Sequence, residues 1–83
     1  MTTLDALRVF VEVVRAGSFT SAARRLSISK SLASKRVAAL EDELSVSLLN
    51  RSTRSLRLTE AGQIYYEHGL RVIEELQTAE AQV

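Results

Sequence analysis

Apolar residues recur at helical spacing along most of this chain, and only the stretch from Val46 to Leu58 changes toward a period of two. A chain patterned this way has few choices. It packs helices on helices, with room for one short β-hairpin. The sequence has no Pro, and Gly17-Ser18 and Ser27-Ile28-Ser29 supply the breaks between the first helices.

Leu7, Phe10, Val11 and Val14 follow the i, i+3, i+4, i+7 rule and predict a helix from Leu4 to Ala16. Thr2 can cap it, with Asp5 three residues on in a capping-box arrangement. Gly17 supplies the stop, because glycine alone takes the left-handed conformation without cost. Ser18 is suited to cap a second, short helix ending near Leu26, whose inner face is Ala22, Ala23 and Leu26. Either Ser27 or Ser29 can cap a third helix that runs to about Leu44. Its apolar stripe is Ala33, Val37, Leu40 and Leu44, and the opposite face carries Ser31, Ser34, Lys35 and Ala38, with Lys30 in the first turn. Acidic Glu41, Asp42 and Glu43 come only in the later turns.

Between Val46 and Leu58 the pattern predicts two short strands joined by a tight loop that carries Arg51 and Arg54. Thr59 then caps a last helix over 60–82, and Glu60 suits its positive N-terminal end. Gly62 weakens the first turn of that helix. The last helix is roughly 34 Å long at 1.5 Å per residue. Tyr65, Gly69, Val72, Leu76, Ala79 and Val83 share heptad a/d spacing, and Tyr66, Leu70 and Ile73 make a second stripe. One stripe can lie on the domain while the other meets a second copy of the helix. Alternatively, both serve a single intrachain core. The dimer seam is the expectation here, because so small a domain cannot cover so long a helix.

Length and composition narrow the function classes. With 83 residues the chain is one compact unit with a thin core, and small domains of this kind lean on disulfides, metal or a partner. It has no Cys, so disulfides, thiolate metal sites and zinc fingers are excluded, and no cofactor or metal is expected. That leaves a homodimer or a larger protein as the support. Charged residues interrupt every apolar run, so neither a membrane span nor a signal peptide is expected, and a cytoplasmic setting is.

The formal net charge of +1 hides a strong asymmetry. Residues 21–58 hold eight Lys and Arg against three acids, whereas residues 59–83 hold five acids against Arg71. A basic middle and an acidic tail point to a polyanion partner for the middle alone.

The order helix, short helix, turn, helix, hairpin, helix is a winged helix-turn-helix pattern, so the fold class is mainly α. A helix fits the major groove of double-stranded DNA. Lys30 and Lys35 can donate to guanine or to phosphate, and Ser31 and Ser34 can donate or accept. The start of the second helix, at Thr20 and Ser21, offers N–H groups and hydroxyls to a phosphate. Arg54 can enter a narrow minor groove. Arg51 either pairs with phosphate or braces the wing.

Leu40-Glu41-Asp42-Glu43-Leu44, then Leu48-Leu49-Asn50-Arg51, then Leu58-Thr59-Glu60-Ala61-Gly62 stand at a spacing that resembles the DNA-binding part of LysR-type transcriptional regulators. The opening, Leu7-Arg8-Val9-Phe10 with Gly17-Ser18-Phe19 and Ala22-Ala23, is similar to the same family, and the resemblance covers the whole chain. It implies a DNA-binding domain over 1–59 and a linker or dimerisation helix over 60–83. The family contacts fall on Lys30, Ser31, Ser34, Lys35 and Arg54. It further implies an interrupted palindromic operator and a homodimer, with a tetramer open to a full-length protein. Such regulators usually continue into an effector-binding domain that senses a small molecule. This chain stops at Val83, so it is expected to be the DNA-binding part alone. Lys30 and Ser31 stand where the family commonly has Gln and Pro, so operator preference does not transfer. Ser45 stands where Gly is frequent and Leu49 where Phe is frequent.

Two rival readings compete with DNA binding. Catalysis lacks a site, since His68 is the only histidine and no nucleophile motif accompanies it. A winged-helix protein–protein module dimerising through its last helix would need a markedly acidic partner to match the acid-free stretch from Arg24 to Arg36.

Overall fold

The computed structural model describes residues 3–51 and 55–83, and within them four helices and one hairpin follow the expected order. Helix α1 is Thr3–Ala16, α2 is Phe19–Leu26, α3 is Lys30–Leu44 and α4 is Glu60–Gln82. Strands β1 (Leu49–Arg51) and β2 (Leu56–Leu58) pair antiparallel, with Leu49 opposite Leu58, Asn50 opposite Arg57 and Arg51 opposite Leu56. The expected cap Thr2 and the wing residue Arg54 lie outside the described residues.

Local chemistry sets the helix boundaries. Gly17 sits at φ 81° and closes α1, its N–H donating to the Val13 carbonyl at 3.0 Å. Ser18, Ser29 and Thr59 cap α2, α3 and α4, each side-chain oxygen accepting from the N–H three residues on. Helices α2 and α3 end alike. Ser27 (φ 58°) and Ser45 (φ 56°) take the left-handed position, and the N–H groups of Ile28 and Val46 reach back to Ala23 and Glu41. This is the Schellman arrangement, made here with serine instead of glycine.

Helix α1 is the centre of the fold and packs against α2, α3 and α4. Phe10 is fully buried, with Tyr65 and Tyr66 of α4 beside its ring at centroid distances of 6.0 and 6.4 Å. Burying such a ring contributes about 1.5–3 kcal/mol. Ala22, Ala23 and Ala33 are buried where α2 and α3 approach α1, and their small side chains permit that approach. The whole is a winged helix-turn-helix.

Two expectations are corrected here. Leu44 does not continue the buried stripe of Ala33, Val37 and Leu40. It is 39% exposed, because the last turn of α3 runs past the core. With Val46, Leu48, Ala61, Ile64 and Tyr65 it lines an open apolar groove of about 250 Å³. The a/d stripe of α4 is also divided. Gly69 is buried against Leu7 and Val11 of α1, and Tyr65 is half-buried in the core beside Phe10. Val72, Ala79 and Val83 remain exposed and Leu76 half-buried. The stripe of Tyr66, Leu70 and Ile73 faces the domain.

Candidate nucleic-acid interface

The buried face of α3 fixes what its other side presents. With Ala33, Val37 and Leu40 packed inward, Lys30, Ser31, Lys35 and Ala38 stand exposed, and Ser34 is half-buried on the flank nearest the hairpin. Ser29 Oγ accepts from the Leu32 N–H at 3.0 Å, which holds the first turn of α3 and so the placement of Lys30 and Ser31. Among the described residues, neither Lys30 nor Lys35 is in an ion pair, so both charges are available to an external anion.

The start of α2 differs from expectation in one respect. Thr20 is exposed, but the Ser21 N–H donates to Ser18 Oγ at 3.1 Å, so that N–H is already satisfied by the cap. The side chain of Ser21 is half-buried. On the last turn of α2, Arg24 is exposed, whereas Arg25 pairs with Glu12 of α1 at 3.1 Å. That pair is at the surface and is worth less than about 1 kcal/mol.

Arg51 belongs to β1 and not to the loop, and its guanidinium turns back onto the helices. Nη1 donates to Ser34 Oγ at 3.2 Å, Nη2 lies 3.6 Å from Glu41 Oε1, and the group sits 4.7 Å from the centroid of the Phe19 ring. Of its two expected roles, the brace is the one these contacts support. Glu41 ties the same corner from the other side. Its Oε2 accepts from the N–H groups of Leu48 and Leu49 at 2.7 and 3.2 Å. The wing is thereby fastened to the middle of α3. Arg57 and Asn50, opposite each other in the hairpin, are both exposed.

The roles of Glu41 and Phe19 in this corner have no local signature in the sequence. Ser34 and Arg51 are 17 residues apart, and only the hairpin register brings them together. Arg36, on the inner flank of α3, holds a buried Nε without a hydrogen-bond partner among the described residues. No group of acids and histidine among the described residues could hold a metal ion, and His68 is exposed on α4. No helix of the described residues is long and apolar enough to cross a membrane.

Comparison with known proteins gives consistent matches. Residues 4–63 match the family model for bacterial regulatory helix-turn-helix proteins of the lysR family. The chain is 53% identical over 83 residues to the HTH-type transcriptional activator AaeR of Escherichia coli (strain K12), covering 100% of this chain and 27% of that protein. It therefore spans about a quarter of the length of that relative. Among solved structures it superposes on the BenM_DBD/catB site 1 DNA complex with a TM-score of 0.90 at 32% identity, covering 98% of this chain and 90% of that one. The CbnR_DBD–DNA complex gives a TM-score of 0.86 at 33% identity, covering 98% and 93%.

Proposed function

The chain belongs to the LysR family of bacterial regulatory helix-turn-helix proteins, and from that premise we propose that it binds double-stranded DNA sequence-specifically, as the DNA-binding part of a transcriptional regulator. The observation that carries this reading is the first half of α3. Its outer face, with Lys30, Ser31 and Lys35, is exposed, free of acid and flanked by a wing, on a fold shared with domains solved on DNA. A duplex complements such a face electrostatically, and the helix width matches the major groove.

In this reading Lys30, Ser31, Ser34 and Lys35 meet base edges, Thr20 and the hydroxyl of Ser21 meet phosphate, and Arg54 enters the minor groove. Arg51 acts first as the brace of the wing. Residues 1–59 form the DNA-binding unit, and residues 60–83 form the helix that pairs with a second copy. The pairing surface is the outer stripe of Val72, Leu76, Ala79 and Val83, with Tyr65 at its edge. The neighbouring apolar side chains of Leu44, Val46 and Ile64, 39%, 41% and 55% exposed, favour such a partner. A dimer would read two half-sites of an interrupted palindrome. Work on chromosomal DNA would place the protein in the cytoplasm with the nucleoid.

The test is a titration of labelled duplex at several salt concentrations. The expected result is a log–log slope that steepens with the number of phosphates met. No binding at low salt, or affinity indifferent to salt, rejects the reading.

A further inference from the structure

The contact between Arg51 and Ser34 has a fixed polarity. A guanidinium carries donors and no acceptor, so in the 3.2 Å bond from Arg51 Nη1 the oxygen of Ser34 accepts. A serine hydroxyl has one hydrogen and two lone pairs. With a lone pair committed to Arg51, the hydrogen is left for a group on another side. Arg51 is itself held on two further sides, by the carboxylate of Glu41 and the ring of Phe19, so its Nη1 stays aimed at Ser34. Ser34 lies one helical turn after Lys30 and beside Lys35, on the flank between wing and recognition face.

We propose that Arg51 is a positioning residue that makes Ser34 a hydrogen-bond donor toward DNA. This deepens the reading of α3 as the DNA-contacting helix and rests on it. A free serine can satisfy donor and acceptor edges alike and so discriminates poorly. A serine that already accepts from Arg51 keeps one lone pair, but its single hydrogen is unspent, so an acceptor on DNA satisfies it whereas a donor on DNA leaves that hydrogen without a partner. On a base edge that acceptor is guanine O6 or N7, adenine N7 or thymine O4, and on the backbone it is a phosphate oxygen. The amino groups of cytosine N4 and adenine N6 are disfavoured at that place. Specificity at one position of the operator thus depends on a wing residue that need not touch DNA.

The experiment compares the 83-residue chain with Ser34→Ala, Arg51→Met and the double variant. Arg51→Met keeps an unbranched stem against Phe19 and removes every donor. Duplexes are first recovered by the unmodified chain from a random library, and all single-base changes are then assayed. Ser34→Ala is expected to lose about 3–10-fold on the recovered duplex, the worth of one hydrogen bond. If the acceptor is a base, that loss flattens preference at one position. Arg51→Met flattens the same position, and the double variant is no flatter than either single. If the acceptor is a phosphate, Ser34→Ala weakens all sequences alike, and its loss shrinks to within about 2-fold in the Arg51→Met background. In both cases Arg51→Met leaves the salt slope unchanged, whereas a direct phosphate contact by Arg51 lowers it by about 1.

Independent, additive losses for Ser34→Ala and Arg51→Met overturn the inference, as does a lowered salt slope or a silent Ser34→Ala. If Arg51→Met does not fold, Arg51→Leu takes its place in the cycle, and where Ser34→Ala has flattened one position the unmodified chain also decides when assayed on duplexes that place a cytosine or adenine amino group there. Tolerance of that amino group overturns the inference, and rejection by at least 3-fold that is lost in Ser34→Ala supports it. Failure of the unmodified chain to recover any duplex would instead reject DNA binding itself.

Discussion

Glu41 Oε2 accepts a 2.7 Å hydrogen bond from the backbone N–H of Leu48. The same oxygen takes the Leu49 N–H at 3.2 Å, so one side chain of α3 satisfies two donors at the start of the wing. Glu41→Ala leaves both part-buried donors without an acceptor. The expected cost is about 2–3 kcal/mol, since hydrogen bonds to a charged acceptor are the stronger kind. Melting should fall by on the order of 10 °C for a domain of this size. Glu41→Gln keeps an acceptor oxygen and should lose about half as much. A melting temperature unmoved by Glu41→Ala would show that the clamp contributes nothing.

Gly62 offers a test in which two physical effects have opposite signs. Helix propensity alone makes Gly→Ala inside α4 stabilising by about 1 kcal/mol. The structure puts the carbonyl oxygen of Leu48 where the new Cβ would stand, and that oxygen also accepts from the Thr59 N–H at 3.0 Å. Backbone cannot yield as a flexible side chain can. Gly62→Ala should therefore destabilise, by about 2 kcal/mol or more, as measured by urea unfolding. A gain in stability would mean that α4 and the wing do not approach this closely.

Ser27 and Ser45 should behave in the opposite way. Each holds a left-handed backbone at a helix end, at φ 58° and 56°. That conformation costs an L-residue roughly 1–2 kcal/mol, of which glycine returns part through its freer unfolded chain. Ser45→Gly and Ser27→Gly should each stabilise by about 0.5–1 kcal/mol, seen as a rise of a few degrees in melting temperature. A loss in either variant would point to a role for that hydroxyl beyond the cap.

These sites show which parts of the molecule could be read in advance. Ser18, Thr59 and Gly17 act within three or four residues of themselves, so spacing alone marks them as caps and stop, whereas for α3 it leaves Ser27 and Ser29 open and the structure gives Ser29. The exposed Lys30, Ser31 and Lys35 follow directly from the period of Ala33, Val37 and Leu40. The place of Arg51 is not legible in this way, because the loop before Leu56 contains neither Gly nor Pro to fix its turn, and register decides which strand residue reaches Ser34. Gly69 has the spacing of the outer stripe of α4 yet packs inward, for a related reason. Gly69 and Ile73, four residues apart, are only about 40° apart around the helix, and the docking of α4 on Leu7 and Val11 shows that Gly69 turns inward with Ile73. Leu44 has the period of a core residue but lies beyond the reach of the core.

The exposed cations of α3 yield a prediction about salt. If Lys30 or Lys35 meets phosphate, Lys→Ala should weaken binding to every duplex alike and lower the salt slope by about 1. If it meets a guanine edge, the loss should fall on one position of the sequence, at about 1–3 kcal/mol. Fluorescence anisotropy on recovered and scrambled duplexes at several salt concentrations separates the two. Full affinity and full preference in the double Lys→Ala variant would remove α3 from the interface.

Val72 is 50% exposed on α4, one turn beyond Gly69, whose face is closed against α1. An apolar side chain left half in water gains only part of its burial from its own domain, whereas a second helix laid along Val72, Leu76 and Ala79 would bury the rest. Val72→Asp should therefore leave the fold of the single chain intact, with melting of the monomer little changed, and shift sedimentation toward the monomer. Ile73→Asp is the contrasting variant, because Ile73 is 5% exposed within the intrachain core and its loss should unfold the chain. On DNA, Val72→Asp should reduce affinity for a two-half-site duplex far more than for a single half-site, since only the former gains from tethering two domains. An unaltered dimer in Val72→Asp and Leu76→Asp alike would place the pairing surface elsewhere, with the apolar groove of Leu44, Val46 and Ile64 the next to substitute.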